Sequence, residues 1–237
     1  VWADLTLILW SAGFHVTSAW CIVTEAESGI KKGNYVQGTV LLILRKQTSD
    51  KVAFLDEIYP EIEDEVKRQL DSMTAIDDKE DPNFTDTDYQ LAAYAAALRV
   101  LTGYKQIEGI DVTRELARTR TRGEVSELEK VIREAVKIAC NHLIPRGIDG
   151  YLWRQLTAEE KFYLKGLELE SHGEFRTGAY QELARGFGIR EYRPFLATTR
   201  ANDTRLKTAS EFRSGDLGGE GFGGTLLRKV LFAIRQT

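Results

Sequence analysis

The stretch of residues 2–46 constrains the fold of this chain more than any other. Residues 2–10 are almost continuously apolar and are followed by Gly13, which predicts a buried helix with a left-handed end. Residues 15–23 alternate bulky with β-branched side chains, and residues 39–44 form an unbroken apolar run, so both predict strands. A strand that is apolar throughout is typical of an α/β sheet that is covered on both faces.

The rest of the chain predicts helices, so the expected fold class is mainly α. We expect residues 1–47 to be the closing helix-strand-strand unit of an α/β domain and residues 48–237 to be a mostly helical accessory domain. The sequence starts within the first helix, on Val1, and has no initiator Met, so we expect the tail of a larger protein. Because the apolar strands lack the rest of a sheet, we also expect self-association through the hairpin or docking onto the helical part.

Three segments carry a family resemblance: residues 13–17 (GFHVT), 20–25 (WCIVTE) and 38–46 (GTVLLILRK). They resemble the last helix and closing hairpin of S-adenosylmethionine-dependent DNA methyltransferases. The closest resemblance is to the large adenine-specific methylases that have an amino-terminal domain of unknown function and are often linked to phage defence. Residues 88–94 and 157–163 are similar to the helical carboxyl-terminal region of those proteins. The resemblance implies a Rossmann-like methyltransferase domain upstream and an accessory or DNA-recognition role for this region.

The chain departs from that family in its chemistry. The catalytic (Asp/Asn)-Pro-Pro-(Tyr/Trp) motif and the glycine-rich cofactor loop do not occur, and residues 81–84 (DPNF) follow an acidic linker instead of a strand. We therefore assign no catalytic and no cofactor-binding residue here, and S-adenosylmethionine would belong to the parent protein. The alternative interpretation is a helical protein-interaction module of a DNA-defence complex, with the hairpin as its anchor.

Composition places the chain among ordinary globular proteins, with 43% hydrophobic and 29% charged residues. No apolar run reaches the length of about 18 residues that a membrane span needs, so we expect no membrane partner. The cysteines Cys21 and Cys140 fit reduced, buried thiols, which predicts a cytoplasmic protein. Neither cysteine has further ligands at zinc-site spacing, so no metal site is expected.

Charge is distributed unevenly along the chain. Residues 47–90 carry 14 acidic against 4 basic side chains, whereas residues 174–237 carry 11 basic against 7 acidic ones. The basic carboxyl-terminal segment therefore predicts weak, salt-dependent contact with DNA. The residues assigned to this contact are Arg185, Arg190, Arg193, Arg200, Arg205 and Lys207. The alternative is that these arginines form ion pairs with Glu182, Glu191 and Glu211; the neighbouring Tyr192 and Phe195 either stack on bases or pack internally.

The loop between the two predicted strands is the second candidate for contact with nucleic acid. In methyltransferase sheets the last strand is antiparallel, so by the resemblance this loop leaves the carboxyl edge of the sheet, where open α/β folds bind ligands. A polar loop there would lie near a flipped adenine or its flanking phosphates. The residues assigned to it are Thr24, Glu25, Lys31 and Lys32. An ordinary hairpin loop is the alternative.

Two further motifs leave alternatives open. Residues 177–189 resemble the first helix and turn of a helix-turn-helix, but Pro194 conflicts with a recognition helix in the positions that follow. Residues 215–225 are rich in glycine and precede a helix, which is compatible with phosphate binding. Since no strand precedes this loop and Glu220 lies within it, we expect a mobile hinge.

We expect the chain by itself to bind no S-adenosylmethionine, because it has no strand followed by a glycine loop to hold the methionine and ribose. Calorimetric titration of the cofactor into the chain should therefore give only the heat of dilution. Micromolar binding would contradict the interpretation as a non-catalytic fragment.

Overall fold

The computed structural model describes residues 2–23, 38–77, 84–119, 124–201 and 203–236. These residues form two compact units, with the division between His142 and Leu143. The boundary expected after residue 47 does not coincide with this division. The physical reason is that the strands before residue 47 pack against a helix that comes 40 residues or more later in the chain.

The first unit consists of helices, one antiparallel hairpin and one short parallel strand pair. In chain order its elements are α1 (Trp2–Ser11), β1 (Phe14–Val23), β2 (Gly38–Lys46), β3 (Val52–Phe54), α2 (Leu55–Ile76), α3 (Asp86–Thr102), β4 (Gln106–Glu108), α4 (Val112–Ala117) and α5 (Glu127–His142). Strand β1 pairs antiparallel with β2, and β3 pairs parallel with β4.

The second unit is smaller and contains one further hairpin. Its helices and strands are α6 (Gly150–Gln155), α7 (Ala158–Ser171), α8 (Thr177–Gly186), β5 (Leu196–Arg200), β6 (Asp203–Leu206) and α9 (Leu226–Gln236). Four short 3₁₀ turns connect them, the first at Arg193–Phe195 and the last at Gly221–Gly224. Strands β5 and β6 pair antiparallel.

The prediction of a mainly α chain is confirmed, since helices α1–α9 account for most of the described residues. The expectation that everything after residue 46 is helical was wrong in detail, because β3, β4, β5 and β6 lie there. A proline inside a helix removes one backbone hydrogen bond and usually kinks or ends the helix. Instead α2 runs through Pro60, because its buried stripe, which begins at Ile58 and ends at Met73, continues without a break.

Helix α3 is the centre of the first unit. It packs against α2, α5 and the β1 strand, and its alanine-rich middle lets all three approach closely. The alanines at positions 92, 93, 95, 96 and 97 are all buried. At its start the Thr85 backbone N–H donates to the buried Asp88 carboxylate at 2.9 Å, which caps the helix.

The hairpin of β1 and β2 is anchored to α3 by one edge. The buried Val16 donates its backbone N–H to Thr102 Oγ1 at 2.9 Å, and the same hydroxyl donates to the Leu98 carbonyl at 2.7 Å. A bulge between Val16 and Ser18 shifts the register at this point. The Trp10 indole N–H donates to the Tyr104 carbonyl at 2.8 Å and fixes α1 beside the end of α3.

The core of the second unit is an aromatic cluster. Phe162 and Tyr163 project from α7 and meet Phe195, Phe212 and Phe222 from the segments that follow, with ring centroids 4.8 to 5.9 Å apart. The sequence Thr-Ala-Glu-Glu at residues 157–160 forms a capping box, with the Thr157 N–H donating to Glu160 at 2.9 Å. Helix α7 therefore starts where the sequence indicates.

The Thr102→Val variant should destabilise the first unit. Valine preserves the side-chain volume but leaves the buried Val16 N–H without an acceptor, at a cost of about 1–3 kcal/mol. Urea unfolding and amide hydrogen exchange at Val16 measure the effect. The Thr102→Ser control keeps the hydroxyl and loses only one methyl, about 0.8 kcal/mol; unchanged exchange at Val16 in Thr102→Val would refute the anchoring role of this hydroxyl.

Candidate nucleic-acid interface

The ten residues assigned to DNA contact fall into two groups. Thr24, Glu25, Lys31 and Lys32, in the loop between β1 and β2, lie outside the described residues. The other six lie in the second unit, between α8 and the 3₁₀ turn that begins at Ala209. The geometry of the candidate interface therefore concerns this second group.

Helix α8 and the hairpin of β5 and β6 are joined by hydrogen bonds. The Thr177 N–H at the start of α8 donates to the Ala201 carbonyl at 3.0 Å, beside the hairpin tip. The hydroxyls of Thr177 and Thr204 lie 2.6 Å apart, and the Thr204 hydroxyl also donates to the Arg200 carbonyl at 2.8 Å. These bonds tie the hairpin tip to the amino end of α8.

The structure does not support the helix-turn-helix interpretation of residues 177–189. Helix α8 supplies the first helix and Gly188, with a φ of 73°, supplies the turn. The chain then enters the 3₁₀ turn at Arg193–Phe195 and continues into β5, so no recognition helix follows. Pro194, at the start of the 3₁₀ turn, is consistent with the break.

Two of the six cationic side chains are held in ion pairs. Arg185 contacts both carboxylate oxygens of Glu182 at 2.7 Å, one helical turn earlier on α8. Arg205 on β6 forms a bidentate pair with Glu211, with both nitrogen-to-oxygen distances 2.7 Å. This hydrogen-bonded pair, together with the Thr208 backbone N–H, lowers the pKa of Glu211 to about 2. The ion-pair alternative from the sequence thus describes Arg185 and Arg205.

Lys207 and the two nearby aromatic residues are engaged internally. The Lys207 ammonium lies 5.8 Å from the centre of the Phe212 ring, and its backbone carbonyl accepts the Tyr163 hydroxyl at 2.6 Å. Phe195 is buried, and Tyr192 packs on Phe162 with the ring centroids 6.0 Å apart. The aromatic residues therefore pack within the unit, and the stacking alternative is not supported.

Three arginines remain exposed. Arg190 follows α8, Arg193 begins the 3₁₀ turn and Arg200 ends β5. None of the three forms an ion pair within the described part of the chain. Strand β5, whose end residues are about 13 Å apart at about 3.3 Å per residue, lies between the last two arginines in the sequence. Exposed guanidinium groups suit a phosphate backbone, where each strand carries one charge per about 3.4 Å of helix axis.

A polar groove in the first unit was not indicated by the sequence. It has a volume of about 370 Å³ and is lined by His15, Tyr104 and charged side chains of α2 and α3. Glu65 accepts from Arg68 at 2.6 Å and from Arg99 at 2.7 Å, so the basic groups are already neutralised. Burial lowers the pKa of His15, and the Tyr104 hydroxyl donates to Glu61. The lining residues come from four separate segments, so no local motif could have revealed the groove.

Comparisons with models of protein families, with characterised proteins and with solved structures return no match to this chain. Across the described ranges, no group of three His, Cys, Asp or Glu side chains is arranged to hold a metal ion. None of the helices in those ranges is long and apolar enough to cross a membrane.

The pair of Arg205 and Glu211 should make the second unit sensitive to acid. The folded-state pKa of Glu211, about 2, lies below its ordinary value of 4.5, so the pair stabilises fully above pH 4.5 and is lost as the pH falls towards 2. The difference in melting temperature between the wild type and Glu211→Gln should therefore be present at pH 6 and vanish near pH 2.

The Arg205→Lys variant is the control for this measurement, because it keeps the charge and removes the bidentate geometry. It should fall between the wild type and Glu211→Gln at pH 6. A difference between the wild type and Glu211→Gln that is independent of pH would show that the ion pair does not contribute.

Proposed function

We propose that this chain is the carboxyl-terminal part of an adenine-specific DNA methyltransferase, and that its helical region contacts DNA without carrying out the methyl transfer. The catalytic step and S-adenosylmethionine would belong to another part of the same protein. Two of the segments that resemble the closing hairpin of such enzymes lie in β1 and β2, which pair antiparallel and follow helix α1; this arrangement supports the proposal.

The observation that carries the proposal is the exposure of apolar side chains on both faces of the hairpin. On one face lie Trp20, Ile22 and Leu41, which are 56%, 40% and 43% exposed; Trp20 and Leu41 are paired in register. On the other face lie Phe14 and Leu44, which are 41% and 38% exposed. Among the hairpin side chains whose burial is described, Val16 alone is fully buried.

This pattern supports a hairpin that completes a larger sheet. A β-strand alternates its side chains between two faces, and an isolated surface hairpin would carry apolar residues on one face alone. Within the described residues β1 and β2 pair only with each other, which leaves the outer edge of β2 open to another strand. Neighbouring strands and covering helices of a methyltransferase domain would bury these residues.

The exposed arginines support the DNA-contacting part of the proposal. Within the described residues the guanidinium groups of Arg190, Arg193 and Arg200 form no ion pair, although the Glu191 carboxylate accepts the Arg193 backbone N–H at 3.1 Å. A guanidinium group matches the geometry of phosphate oxygens. The acidic side chains of α2 oppose binding through the first unit, so the contact should be local and weak.

The alternative function is a protein-interaction module of a DNA-defence complex. It is favoured by α9, whose exposed face carries Leu226, Val230 and Ile234 at four-residue spacing. Such a stripe is typical of a helix that packs against a partner. An interaction module without a DNA-contacting surface would show no salt-dependent retention of DNA.

The nucleotide sequence upstream of the codon for Val1 tests the first part of the proposal, the assignment to a methyltransferase. The codons that precede Val1 should encode an (Asp/Asn)-Pro-Pro-aromatic motif and a glycine-rich loop after a strand. A reading frame that starts at Val1, or one that encodes neither motif, would refute the methyltransferase assignment.

The second part predicts that neutralising Arg190, Arg193 and Arg200 together to Gln weakens DNA binding. Each phosphate contact releases counterions, so the slope of log K against log salt should fall by about one for each arginine that is removed. Fluorescence anisotropy of a labelled duplex at several salt concentrations measures the slope.

The control variant neutralises three exposed basic residues of α5, Lys130, Arg133 and Lys137, and changes the net charge by the same amount. Its slope should match that of the wild type. Equal slopes for both triple variants would show that the arginines do not contact DNA and would favour the interaction module.

A further inference from the structure

Arg228 on α9 is among the most buried side chains of the second unit, with only 1% of its surface exposed. Its guanidinium carbon lies 5.0 Å from the centre of the Phe212 ring. Nη2 donates to the Arg213 carbonyl at 2.8 Å. Nε and Nη1, with three N–H donors between them, have no hydrogen-bond partner among the described residues.

A buried guanidinium in this state requires an anion. Arginine does not deprotonate in proteins, so the group cannot become neutral as a buried lysine can. A buried charge is normally paired, because the apolar surroundings do not replace its hydration. The face of one aromatic ring and one carbonyl oxygen leave most of the positive charge uncompensated.

Three carboxylates of the same unit are engaged elsewhere. Glu211 is held by Arg205, and Glu170 accepts the Tyr180 hydroxyl and the Leu206 N–H. Glu160 accepts the Leu227 N–H at 2.9 Å and the Thr157 N–H at 2.9 Å. None of the three forms an ion pair with Arg228.

The amino end of α9 is not itself the anion site. The Glu160 carboxylate from α7 already occupies it through Leu227, and the Thr225 hydroxyl accepts the Arg228 N–H at 3.2 Å. Phosphate binding by a glycine loop at a helix start, the option raised by the sequence, is therefore blocked at the helix itself. The positive group that remains available is the Arg228 side chain.

The glycine-rich segment, residues 215–224, precedes α9 in the sequence by one residue. Because glycine has no side chain, the backbone of this segment can adopt conformations that other residues rarely adopt. Gly218, Gly219 and Gly221 have positive φ values of 90°, 82° and 66°. A Cβ on Gly223 would lie 2.5 Å from the Asp216 carbonyl oxygen, so the observed backbone conformation of this segment requires glycine at position 223. Backbone N–H groups of such a segment can turn towards an oxyanion when the path opens.

We propose that Arg228, with the glycine-rich segment 215–224, forms a binding site for a phosphate-type oxyanion. The guanidinium Nε and Nη1 donate to its oxygens, and the bound anion neutralises the buried charge. The oxyanion is supplied either by free phosphate or by a phosphodiester of DNA. The site is separate from the exposed arginines Arg190, Arg193 and Arg200 and does not depend on their role.

The test compares thermal unfolding of the full chain in sodium phosphate and in sodium chloride at equal ionic strength. Binding to the folded state raises the melting temperature as the ligand concentration exceeds Kd. The wild type should melt at a higher temperature in phosphate. Arg228→Met, which keeps a similar apolar length without the donors, should lose this rise.

The control is Arg213→Met, which removes an exposed arginine side chain from the same segment and should keep the full phosphate response. A second arm replaces phosphate with a short DNA duplex. If only the duplex raises the melting temperature and Arg228→Met loses this effect, the ligand is a phosphodiester. If phosphate raises the melting temperature, the ligand is the free ion.

The proposal is overturned if the wild type shows no rise with either anion or if the phosphate rise survives in Arg228→Met. It is also overturned if only the duplex raises the melting temperature and that rise is undiminished in Arg228→Met, because the exposed arginines then account for it. Phosphorus-31 line broadening on the wild-type chain gives the same decision if Arg228→Met fails to fold. Failure here leaves the salt slopes of the Arg190, Arg193 and Arg200 variant unaffected, so the two proposals are tested separately.

Discussion

The first unit depends on a helix that is buried on nearly every side. Helix α3 has α2, α5 and the β1 strand around it, and this is sterically possible because its middle is built of alanines. Larger side chains at these positions would hold the neighbours apart and open cavities between them. The short side chains also bring the end of α3 within hydrogen-bonding distance of the hairpin, where Thr102 receives the Val16 N–H.

The same arrangement explains why the hairpin is only partly covered. Helix α3 contacts the β1 edge and buries Val16, and neither face of the two strands is closed by another layer. The free energy of burying Trp20, Leu41 and Leu44 therefore remains available for contact with a further domain, at about 25 cal/mol for each Å² of apolar surface. This uncovered apolar surface is the structural observation that connects the sequence resemblance with the proposed parent enzyme.

The sequence predicted elements whose signals are local. The helix over residues 2–10, its stop at Gly13 and the two long strands that follow are each specified by residues within the element itself. Strands β3 and β4 have three residues each and pair across about 50 intervening positions, so no window of sequence contains their partner. Strands β5 and β6 have five and four residues, and alternation over so few positions is a weak signal.

The electrostatics of the candidate site could also be predicted from the sequence only in part. Counting residues identified a basic segment, but pairing decides which cations are available, and the pairs of Arg205 with Glu211 and Arg185 with Glu182 depend on side-chain geometry. Helix α9 is the extreme case. In α9 the charged Arg228 lies buried, while the apolar Leu226 and Val230 are exposed. A helix in this orientation exposes apolar surface and buries a charge, and both costs fall only if other molecules supply an apolar surface and an anion. The proposed oxyanion at Arg228 and a partner on the exposed apolar face would each remove one of these two costs.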